Sequence, residues 1–169
     1  MAHQSRIEGI VTAFNAAHDQ LIASLEQLSE AAAAQRPQDG GWTPAQIGWH
    51  VAATNDLLGQ IITGEAPLAQ PAAEGFVENP AVFEGLPAKV QTFPQLVPPA
   101  GVTRDEALGK LRESAGPLAA KLRAMSQERA AGHCVAFPFG TLSLYQLGEF
   151  AAGHVARHHG QLQRAIAAV

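Results

Sequence analysis

A single cysteine, Cys134, stands in this chain of 169 residues. That excludes an intramolecular disulfide framework and fits a cytoplasmic setting. Aromatic residues are scarce at 6%, while Ala and Leu dominate, a composition suited to closely packed helices. No apolar run approaches the roughly 20 residues of a membrane span. The opening MAHQSRIEGI lacks the basic start and apolar stretch of a secretory signal. The net charge is −4 with Lys and Arg scattered, so nucleic acid finds no basic stripe to bind. Apolar side chains are plentiful instead: 47% of residues are hydrophobic, enough for a core in one domain spanning residues 1–169.

Periodicity predicts four long amphipathic helices. The first covers roughly residues 5–34, where Ile7, Val11, Phe14, His18, Leu21, Leu25 and Leu28 recur at steps of three and four. The second starts at Thr43 as N-cap, with Pro44 at the first helical position and Gln46 closing a capping box. Trp42 is at staple spacing from Ile47, and the inward stripe runs through His50, Thr54, Leu57 or Leu58, and Ile61 to a stop at Gly64. Residues 65–102, rich in Pro and Gly, form a long irregular connection, which Phe76, Phe83, Phe93 and Leu96 should hold against the helices. The third helix opens with a capping box from Thr103 to Glu106 and carries Leu108, Leu111, Ala115, Leu118, Leu122 and Met125 inward. Pro117 predicts a kink or two abutting pieces. Gly132 to Gly140 reads as a second irregular connection. The fourth helix opens with a capping box from Ser143 to Gln146, flanked by Leu142 and Leu147, and turns His154 and His158 inward. The expected fold is all-α, a four-helix bundle whose long connection between helices two and three permits departure from simple up-down order.

His154 and His158 are four residues apart, hence on one helix face. His50 is on the inward stripe of another helix. Taken singly, a histidine on an apolar face reads as a core residue, and a His-x-x-x-His pair is weak on its own. Placement of all three histidines on two inward stripes favours a metal site, because neutral imidazoles are common ligands and buried imidazoles without partners are costly. Other metal motifs fail. Val155 follows His154 where a zinc-protease motif needs Glu, and Glu149 is five residues before His154 where a di-iron bundle needs Glu-x-x-His.

GWTPAQIGWHVAATNDLL, followed after a long gap by FGTLSLYQLGEFAAGHVARHHGQLQRAI, resembles the DinB/YfiT-like superfamily. The likeness is carried most specifically by Trp42, Thr43, Pro44, His50, His154, His158 and Gln161. It implies a DinB-type four-helix bundle in which His50, His154 and His158 bind a divalent metal; imidazole ligands leave its identity open among zinc, nickel, iron, manganese and copper. It also implies chemistry like that of thiol-dependent relatives, bacillithiol S-transferases and a mycothiol-dependent isomerase, with a low-molecular-weight thiol as cosubstrate and a small electrophile as substrate. A homodimer through Ala-rich helix faces is expected. The superfamily's name refers to induction by DNA damage and does not imply DNA binding.

A divalent ion on three neutral imidazoles keeps its charge and can activate either water or a thiol. The leading expectation is a thiol S-transferase. The alternatives are a metal-dependent hydrolase, a non-enzymatic metal-binding protein of the stress response, and a bare bundle with core histidines. Secondary candidates are His18 as fourth ligand, proton carrier or core residue, with no direct ligation favoured, Thr54 as partner of a bound water or of its own backbone, and Gln161 as pocket wall or orienting group. Arg157 and His159 read as solvated, with an anion clamp as the lesser alternative, Asn55 and Asp56 as solvated, Cys134 as an apolar filler, and Trp42 and Trp49 as packing residues ahead of substrate platforms.

Overall fold

The computed structural model describes residues 2–84, 86 and 92–167. Four long helices dominate: α1 (Ala2–Glu26), α3 (Pro44–Thr63), α4 (Arg104–Ala124) and α6 (Leu144–Ala167). Two short helices, α2 (Glu30–Ala33) and α5 (Gln127–Gly132), and a 3₁₀ turn at Pro94–Leu96 complete the helical part.

Local chemistry explains the helix boundaries. Thr43 and Gln46 exchange both capping-box bonds at 3.1 Å, and Ser143 and Gln146 do the same at 3.1 and 3.3 Å. Each box satisfies amide groups that a helix start otherwise leaves unpaired. Gly64 ends α3 with φ of 89°, the left-handed backbone that only glycine adopts freely. The first predicted helix stops earlier than its apolar period suggested, at Glu26. Ser29 then caps α2, and Leu28 turns its carbonyl to Arg104 Nη1 at 2.6 Å. Pro117 does not divide α4, which runs unbroken around it. Pro117 is on the exposed face, where water can serve the carbonyl that loses its amide partner.

The helices pack in an order that the long connection makes possible. Asn55 meets Ser114 and Gly59 meets Lys121, so α3 and α4 run parallel. Arg6 pairs with Glu149 and Ser24 with His159, so α1 and α6 are parallel as well. Glu8–Arg123 and Glu26–Arg112 contacts set α1 antiparallel to α4. Phe14, Leu21, Leu25, Ile47, Leu111, Leu122 and Leu147 fill the space between them.

The all-α expectation is corrected by a small antiparallel sheet, ordered β1 (Gln70–Pro71), β2 (His133–Phe137) and β3 (Gly140–Ser143). The stretch read as irregular, Gly132 to Gly140, is mostly one arm of a hairpin. Val135 and Leu142 form a cross-strand pair and are both buried, so the sheet anchors one side in the core. The long connection packs unevenly: Val82 and Leu96 are buried, while Phe93 is 46% exposed, contrary to its expected packing.

Candidate metal centre

His50 is two turns into α3, and His154 and His158 face it from α6. Nε2 of His50 is 3.2 Å from Nε2 of His154, and the three imidazoles each offer a nitrogen within 4.8 Å of the others. Two nitrogens bound tetrahedrally to one ion at about 2.05 Å are about 3.3 Å apart, so this spacing is that of a shared ligand sphere.

Hydrogen bonds decide which nitrogens are available. His50 Nδ1 is 2.8 Å from the carbonyl of Leu96, and a carbonyl only accepts. Nδ1 therefore carries the proton, and Nε2 of the neutral ring presents its lone pair toward His154. His158 Nδ1 likewise donates to Gln161 Oε1 at 2.7 Å, leaving its Nε2 as acceptor. Outer hydrogen bonds of this kind orient metal-ligating histidines generally. His154 differs: its buried Nδ1 has no partner among the described residues, and without an ion its proton sits on Nε2, which donates to His50 Nε2.

The environment keeps all three rings neutral. Burial lowers His50, and burial followed by the charges of His158, His50 and Arg157 holds His154 well below the usual imidazole range. Burial first, then His50, pushes His158 down to about 3. Neutral imidazole is the ligating form. Trp42 covers one side, with ring centroids 4.7 Å from His50 and 6.5 Å from His158. Phe150 lies against His154 at 5.6 Å on the other. The donor set and its neutrality fit a divalent transition-metal ion.

The remaining candidates separate into partners and bystanders. Gln161 takes the orienting role. Thr54 does not face the cluster with its hydroxyl, which donates to its own helix at the His50 carbonyl, 2.9 Å away. His18 is buried beside Phe14 on α1, its Nε2 unpartnered, and is outside the three-histidine group. Asn55 is 1% exposed rather than solvated, with its amide donating to Ser114 Oγ at 3.2 Å. His159 is not simply solvated either, since it bonds Ser24 at 2.9 Å. Arg157 and Asp56 are exposed, and Cys134 is buried, its thiol pushed up by burial and by Glu78. Sequence reasoning passed over the Leu96 carbonyl, which no side-chain pattern announces. It also took Trp42 for packing alone. That Trp42 precedes the N-cap Thr43 by one residue and is eight before His50 was the available signal.

No helix among the described residues is long and apolar enough to cross a membrane. The sequence pattern of the DinB superfamily matches residues 13–162. No curated protein matches the sequence. Among solved structures, a histidine-to-alanine mutant of mycothiol-dependent maleylpyruvate isomerase is similar, with a TM-score of 0.65 at 16% identity. The likeness, one of fold, covers 96% of this chain but only 61% of that one. With nearly its whole length inside the family pattern, this chain belongs to the DinB superfamily.

Proposed function

We propose that this protein is a metal-dependent enzyme with His50, His154 and His158 as the ligands of one divalent ion and a low-molecular-weight thiol as cosubstrate. The observation that carries the reading is the 3.2 Å approach of the His50 and His154 Nε2 atoms, with the outer nitrogen of His50 already committed to a carbonyl. A bound divalent ion would supply Lewis acidity, making a thiol or water nucleophilic near neutral pH. In this reading Leu96 and Gln161 hold the ligating rings in one tautomer, and Trp42 and Phe150 keep bulk water from two sides of the cluster. Three protein ligands leave room for an exchangeable guest. Kinship with a family that includes a thiol-dependent enzyme favours sulfur transfer to a small electrophile over hydrolysis. We carry with this reading a single DinB-type four-helix-bundle domain over residues 1–169, a cytoplasmic setting and a homodimer.

The test is elemental analysis of untagged protein, followed by thiol titration of a cobalt-substituted sample. About one ion per chain and a new sulfur-to-cobalt absorption band are expected. A chain that retains no metal, or one whose cobalt spectrum ignores thiols, overturns the metal or the thiol part of the proposal respectively.

A further inference from the structure

We propose that the cavity between the sheet and the connection after α3 binds an uncharged aromatic small molecule, at a site separate from the histidine cluster. The cavity has a volume of about 370 Å³, inside the roughly 300–1,000 Å³ range of small-molecule sites. Phe76, Phe93 and Phe137 supply aromatic walls, and no Asp, Glu, Lys, Arg or His is among the described residues that line it. A charged guest would lose its hydration there without compensation.

The sheet explains the shape. Cys134 and Ala136 project from the same side of β2, by the strand's alternation. Their ladder partners Gln70 and Thr141 lie beside them. All four line the cavity, which gives it a floor of small side chains with two polar ends. Such a floor accepts a flat ring and offers it a hydrogen bond at Gln70 or Thr141. At the mouth, Leu68 and Phe93 are 43% and 46% exposed, large apolar side chains that a guest would cover. A second cavity, between α3 and α4, makes the contrast: it has about 160 Å³ and is lined by Asp56, Glu65 and Lys121. Phe137 also reaches toward the histidines, with ring centroids 5.8 Å from Phe150, which is 5.6 Å from His154. The proposed guest is thus two rings away from the cluster.

The experiment is a fluorescence titration with N-phenyl-1-naphthylamine, a neutral aromatic probe, on the full chain. Saturable binding with a blue-shifted emission is expected. Ala136→Phe fills the floor and Leu68→Glu places a charge at the mouth, and each should weaken binding at least about tenfold. Far-ultraviolet circular dichroism establishes that each variant is folded. Saturating probe should also slow alkylation of Cys134 by N-ethylmaleimide. Absence of saturable binding, unchanged affinity in both folded variants, or Cys134 alkylation indifferent to the probe overturns the proposal. So does equal affinity for an anionic naphthalene sulfonate. The titration is repeated on His50→Ala: unchanged binding supports a separate site, and loss of binding overturns it, whatever the fate of the metal reading.

Discussion

Helix α3 buries polar side chains on two seams, and they differ in kind. Toward α4, Asn55 donates to Ser114, whose hydroxyl donates to the Leu111 carbonyl at 3.1 Å. Both donor atoms in that chain have an acceptor, and the atom left over is an acceptor, Asn55 Oδ1. Toward α6, the outer nitrogens of His50 and His158 are used, which leaves their inner nitrogens as acceptors, and only the His154 ring has a proton to offer between them. The first seam closes on itself and adds stability. The second has acceptors converging with too few protons between them, an arrangement that a cation completes. Buried polarity alone does not mark a site; the direction of the hydrogen bonds does.

The comparison is broken most directly by His154→Ala. It should abolish metal retention in elemental analysis, whereas Asn55→Ala should leave retention intact. Retention by His154→Ala would make the α6 seam no different from the α4 seam.

A second test uses acid. The three cluster imidazoles have folded pKa values below the ordinary imidazole value, His158 at about 3. The unfolded chain therefore takes up protons first as pH falls through about 6.5. The stability of metal-free protein should be full above that value and should fall as pH drops toward the folded values. Urea unfolding of metal-free protein from about pH 7 down to about pH 4 should show this slope in the parent and in Asn55→Ala. In His154→Ala it should be shallower. Equal slopes in all three proteins would remove the electrostatic distinction between the seams.

Gln161→Ala sharpens the role of the outer bonds. Loss of an orienting partner lowers metal affinity by about 10- to 100-fold in comparable sites. Competition with a chelator should show this, and Gln161→Glu, which keeps an acceptor, should restore most of it. On the other seam, Asn55→Ala should cost about 1–3 kcal/mol in urea unfolding. The smallest effect should come from Gly64→Ala at the end of α3, where φ is 89°. It should cost about 1 kcal/mol and leave metal affinity as it was, since it touches neither seam.

Much of α3 and α6 was legible because their signals are local. Thr43, Pro44, Gln46 and Gly64 bound one helix, Ser143 and Gln146 begin the other, and each acts within four residues. The hairpin was not legible. Its Pro138–Phe139 turn lacks the Asn-Gly type of signature, and His133 to Phe137 alternates only weakly between apolar and polar. Val135 and Phe137 before Gly140 and Thr141 were the hint available. Asn55 was misread because the apolar stripe of α3 faces α6, while α4 covers another side of the same helix. His18 followed the apolar stripe faithfully, but α1 carries it to Phe14 and away from the cluster.

The sequence by itself determined where the long helices start and that His154 and His158 share a face, because capping and helical period are interactions of near neighbours. Only the tertiary structure decided that α3 runs antiparallel to α6, which brings His50 to His154 across 104 residues of chain. It also decided that the carbonyl of Leu96, 46 residues beyond His50, selects the tautomer of that ring. A backbone carbonyl is the same in every residue, so its use as a partner depends on where the folded chain delivers it.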